Sequence, residues 1–144
     1  MRPYHLIPAV PALGLALMPF SGVQLPDAMV RRAREVSEVH ADSVRRAAEA
    51  GVRIAMGTDS GIGPHGTNLD ELALMEACGM TPGEVLAATT SSAARLLGYD
   101  DLGVLEPGRR ADLVLVEGDA YDLTALPSQV TEVWKDGTQV VVRK

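Results

Sequence analysis

The stretch GVRIAMGTDSG, Gly51 to Gly61, decides the fold class. From Val52 to Met56 only Arg53 is polar, so the segment lacks the alternation of a half-exposed strand. That pattern suits a parallel strand covered on both sides. The run then stops at Gly-Thr-Asp-Ser-Gly, which sets Asp59 just past the strand's carboxyl end. In α/β folds built on parallel strands, ligands bind outside those carboxyl ends. Gly57, Gly61 and Gly63 leave the backbone open to a close ligand or metal. A carboxylate there can ligate a metal or take a proton from a metal-bound water. It can equally cap a turn. Position alone leaves both readings open.

Ahead of this stretch, residues 26–50 carry a helical pattern. Pro26 suits a first turn, Ala28, Val30, Ala33, Val36, Val44, Ala47 and Ala48 can share apolar faces, and Gly51 suits a C′ position. The polar cluster from His40 to Ser43 allows a break into two helices. Earlier still, Leu6 to Val10 reads as a buried strand followed by a loop or short helix. A signal peptide is the rival reading of residues 6–20, but Pro8 and Pro11 interrupt the run and no small-x-small cleavage site follows Phe20. The run is also too short and broken for a membrane span. A cytoplasmic chain is the expectation.

Behind the stretch lies a Gly-rich loop, Gly57 to Gly66. Asn68 and Glu71 have capping-box spacing, as do Thr81 and Glu84, with Pro82 at the first helical position. Short helices are expected over about Pro82–Ala88 and Ser91–Leu97, the latter closed by Gly98. After Tyr99 the character changes. Glu106-Pro107-Gly108 marks a turn, Asp112–Val116 a strand, and VTEVWKDGTQVVV a hairpin turning at Asp136-Gly137. Residues 1–100 therefore read as α/β and residues 101–144 as β.

Composition narrows the function classes. The 144 residues are 47% hydrophobic and 22% charged, a globular balance. The formal net charge is −6 with no basic run, and aromatic residues are only 3%, so neither phosphate contacts nor base stacking are provided for. No nucleic acid and no membrane are expected as partners. Cys78 is the single cysteine, which excludes an internal disulfide and a cysteine-based zinc cluster.

Taken in order, three segments resemble the metal-dependent amidohydrolase superfamily, closest to its imidazolonepropionase-like and prolidase-like branch. They are HADSVRRAAEAGVRIAMGTDSG (His40 to Gly61), HGTNLDELALMEACGMTPGEVLAATTSSAARLLG (His65 to Gly98) and LGVLEPGRRADLVLVEGD (Leu102 to Asp119). The closing VTEVWKDGTQV fits as well. The resemblance implies the C-terminal part of a (β/α)8 TIM barrel, with strand seven near Leu6–Val10 and strand eight at Val52–Met56. Residues 101–144 would then be strands of a small composite β-sandwich. It implies one or two divalent metals, zinc first among them. Asp59 matches the family's metal-binding proton shuttle, and His65 matches a loop position that touches substrate.

The chain departs from that pattern in extent. A (β/α)8 barrel takes about 250 residues. The His-x-His pair, the metal-bridging Lys or Glu and the two later His ligands of the family are absent. His5, His40 and His65 have no ligand spacing among them. A catalytic zinc takes three protein ligands plus water, and Asp59 is one. The expectation is a C-terminal portion of an enzyme that hydrolyses amide, cyclic amide or peptide-like C–N bonds, inactive alone. The alternative is a non-catalytic assembly module or one half of a split enzyme, with an N-terminal half or a second copy as partner.

Other reactive-looking residues have plainer readings. Thr58 and Ser60 lack the partners of an activated nucleophile. Asp70 and Glu71 offset the positive end of a helix. His40 and His5 read as packing or surface residues, Met75 and Met80 as core. Trp134 is expected on a sandwich face, and Cys78 as buried and unreactive.

Overall fold

The computed structural model describes residues 4–8, 26–58 and 68–142. Strand β1 (Tyr4–Pro8) pairs in parallel with β2 (Arg53–Gly57), with Tyr4 opposite Arg53 and Pro8 opposite Gly57. The long helix α1 (Asp27–Glu49) lies between them in sequence and packs on β2. Parallel pairing across a helix is the βαβ unit that such strands require. Strand β1 begins two residues earlier than the apolar run suggests. Ala9 and Val10, and the loop or short helix expected after them, lie outside the described residues.

Helix α1 is continuous through His40–Ser43, where a break was conceivable. The polar residues there do not compete with the helix. Asp42 points outward and pairs with Arg45 and Arg46, three and four residues on, as helix-surface neighbours do. Val44 and Ser37 face inward and are buried. Pro26 is the N-cap, and Gly51, at φ 68°, takes the left-handed conformation that turns the chain into β2.

Three short helices follow: α2 (Asp70–Ala77), α3 (Pro82–Thr89) and α4 (Ser91–Leu96). The capping box at Thr81 is complete. Thr81 Oγ1 accepts from the Glu84 N–H, and the Glu84 carboxylate accepts from the Thr81 N–H at 2.8 Å. The box expected at Asn68 does not form. The N-cap of α2 is Leu69, without a side-chain bond. Glu71 is instead drawn inward with Leu72 and Met75 and is only 8% exposed.

The C-terminal sheet has the order β3 (Leu113–Val116), β4 (Val130–Lys135), β5 (Thr138–Val142), all antiparallel. The β4–β5 turn is Asp136-Gly137, with φ of 50° and 73°, the pair of positive angles a type I′ turn demands. The Glu106–Gly108 turn is closed by Arg109 N–H donating to the Glu106 carbonyl at 3.1 Å. A single-turn helix, α5 (Leu126–Gln129), leads into β4 and had no forecast in the sequence. Leu123 and Leu126 sit in the same core cluster as Val44, Ile54, Leu72 and Val85.

Candidate functional site

Strand β2 positions the site. Ile54 and Ala55 are successive residues, so their side chains point to opposite faces of the sheet. They are 6% and 1% exposed, which means that both faces of the strand are covered, as the apolar run predicts. Ile54 and Met56 face the core shared with α2 and α3, and both α3 and α4 pack over the strand. A strand held on both sides fixes the direction in which its carboxyl end leaves the sheet. That end is Gly57, followed by half-buried Thr58. Asp59 comes next in sequence. Asp59 and His65 both lie outside the described residues, as do Ser60, Gly61 and Gly63.

Among the described residues, no three His, Cys, Asp or Glu side chains stand close enough together to hold a metal ion. The nearest approach to a buried ionisable group is Glu71 with Cys78. Burial raises the thiol's pKa above its ordinary value, the Glu71 charge raises it further, and Arg45 partly offsets both. Cys78 is thus a buried, protonated thiol, as the sequence suggests. Glu71 was missed as a buried carboxylate. Its signal was its place one residue before Leu72 and four before Met75, on the apolar side of α2. Met75 and Met80 are core residues. His40 is half-buried, with Nε2 enclosed and no hydrogen-bond partner among the described residues. Trp134 is half-buried and donates from Nε1 to Glu132 at 2.8 Å.

Residues 7–143 match the amidohydrolase family, nearly the whole chain. The chain belongs to that family. Among its curated relatives is the imidazolonepropionase of Deinococcus deserti, 41% identical over 104 residues, or 67% of this chain and 26% of that protein. Among solved structures, an amidohydrolase superposes with a TM-score of 0.82 at 27% identity, covering 97% of this chain and 35% of the other. A Xaa-Pro dipeptidase superposes at 0.77 with 32% identity, covering 91% and 33%. The α/β architecture is that of amidohydrolase barrel proteins. The chain spans about a quarter of the length of the D. deserti relative and about a third of these two structures.

Proposed function

We propose that this chain supplies the closing part of an amidohydrolase that breaks a C–N bond in a small amide, cyclic amide or peptide-like substrate. The observation that carries the reading is the parallel β1–β2 pair, which ends at Gly57, two residues ahead of Asp59, inside a segment that matches the family. The 23-residue crossover helix and the parallel register support β1 and β2 as strands seven and eight of the barrel. The separate antiparallel sheet supports residues 101–144 as strands of a composite sandwich.

In this reading the Asp59 carboxylate takes a proton from the water that attacks the substrate carbonyl. It returns the proton to the leaving nitrogen as the C–N bond breaks, so the carboxylate is restored. His65, six residues on in a Gly-rich segment, holds the substrate. The family generally uses divalent metals. The described residues do not fit one by themselves, because they contain no cluster of ligands and Asp59 adds only a single donor. The 144 residues alone should therefore show little or no hydrolysis.

The names of the relatives direct the test. The chain, joined to the part of the D. deserti relative that lies ahead of the matched residues, would be assayed on imidazolonepropionate and on a Xaa-Pro dipeptide. Turnover of either supports the reading. A folded, assembled protein inert on both and on other amides would refute it.

A further inference from the structure

Helix α1 runs antiparallel to the two strands it joins, as the helix of a βαβ unit does, so its N-terminal half lies toward their carboxyl ends. Ser37, His40, Ala41, Val44 and Ala48 share its inner stripe, at the i, i+3 and i+4 spacing of one helix face. Val44 is in the core cluster with Ile54, and Ala41 and Ala48 pack against that cluster. His40 stands one turn beyond Val44, about 6 Å along the axis. Met56 and Gly57 lie about 7–10 Å beyond Ile54 along the strand. His40 is therefore near the level of the last residues of β2. Ser37, a further turn on, is 0% exposed, so this face of α1 stays covered past His40. The stripe changes from apolar to polar where the strand ends.

A second observation falls on the same residue. His40 Nε2 is enclosed and has no hydrogen-bond partner among the described residues. A ring nitrogen that is desolvated and unpaired costs stability. A leucine at this place on the stripe would continue the apolar face of Ala41, Val44 and Ala48 without that cost. A polar group set against the local packing rule is expected where function outweighs packing. This one sits at the end of the strand that leads to Asp59.

We infer that His40 is a positioning residue: its imidazole backs the carboxyl end of β2 and fixes the direction in which the chain leaves it toward Asp59. The inference rests on the role proposed above for Asp59 and adds a residue that acts through it. In that role the carboxylate has to meet both the attacking water and the leaving nitrogen. A small change in the exit direction of β2 then costs rate more than substrate affinity. Val44, Ala41 and Ala48 hold α1 on the core whatever stands at position 40.

The test uses two substitutions. His40→Leu keeps much of the side chain's bulk and removes both ring nitrogens. His40→Gln keeps a polar group at similar reach. Each is made in the 144-residue chain, for urea unfolding, and in the joined protein described above, for kcat and KM on the substrate it turns over. In His40→Leu the urea midpoint should hold or rise, because the enclosed nitrogen is gone. Its kcat should fall roughly tenfold or more with KM within a few fold, and His40→Gln should recover most of that loss. A residue that only packs gives the opposite pair, a lower midpoint and an unchanged kcat. A His40→Leu kcat equal to wild type in an active joined protein would overturn the inference and leave the barrel reading intact. So would a lowered midpoint, a chain that no longer folds, or a His40→Gln enzyme as slow as His40→Leu. A folded joined protein inert on every amide would instead refute the proposed function, and the inference would fall with it.

Discussion

The Asp112 carboxylate binds Lys135 Nζ at 2.6 Å through one oxygen and the Asp136 N–H at 2.8 Å through the other. It stands where a backbone acceptor would, and it fixes the β4–β5 turn against the segment entering β3. Arg110 reinforces the join, 2.8 Å from Asp101 and 3.4 Å from Asp136, and Gly137 N–H donates to the Ala111 carbonyl. Asp112→Ala should loosen this corner. Amide exchange at Asp136 and Gly137 should rise while exchange in β2 stays unchanged.

The same contacts set a pH dependence. The hydrogen bond from Lys135, and then that from Asp136, hold the Asp112 pKa below its ordinary 3.8, and Arg110 does the same for Asp101. A depressed carboxylate contributes stability above its unfolded pKa and loses it as pH falls through the folded one. Lys135 is raised above 10.5 by Asp112, so its share is present below that value and lost above the raised pKa. Protection of the turn amides should therefore be flat from about pH 5 to 9 and fall below pH 4. In Asp112→Asn the acid-side fall should shrink. An unchanged profile in that variant would sink the assignment.

Gly103 has a positive φ of 79°, and a Cβ there would lie 2.7 Å from the Thr90 carbonyl oxygen and 2.9 Å from Ser91 Cα. Both are backbone atoms at the start of α4, so neither can swing aside. Gly103→Ala should cost more than the roughly 1–2 kcal/mol of left-handed strain alone. Gly108→Ala, with φ 85° and open space around it, should cost about that strain and no more. Urea unfolding of the two variants measures the difference.

Leu123 is 1% exposed and packs in one cluster with residues from α1, β2, α2 and α3. Leu123→Ala should destabilise the chain by about 2–5 kcal/mol, as buried leucine truncations do. Thr81→Ala, which removes only the capping box of α3, should cost about 1 kcal/mol. If the two were equal in urea unfolding, the segment carrying Leu123 would not close the core.

Much of this fold was legible because local chemistry decided it. Thr81-Pro82 with Glu84, Asp136-Gly137 and Glu106-Pro107-Gly108 each specify one backbone path, and each is found. The apolar run Val52–Met56 announced a strand buried on both faces. Where the reading failed, tertiary packing outweighed a local signal. Glu71 enters the core instead of completing a box with Asn68, and the polar residues at 40–43 divide between the two sides of an unbroken α1. Asp59 is proposed as a site residue from its place after the strand together with the family resemblance, and it lies outside the described residues. The partners that would complete a metal site were not legible, because no ligand spacing for them occurs in the 144 residues.

The most direct measurement is the rate of C–N hydrolysis by the joined protein, with Asp59 and with Asp59→Asn. The substitution keeps the size of the side chain and removes its ability to accept a proton. The account predicts a fall in kcat of roughly 10²–10⁴-fold with the fold intact by circular dichroism. A kcat for Asp59→Asn within a few fold of wild type would contradict it.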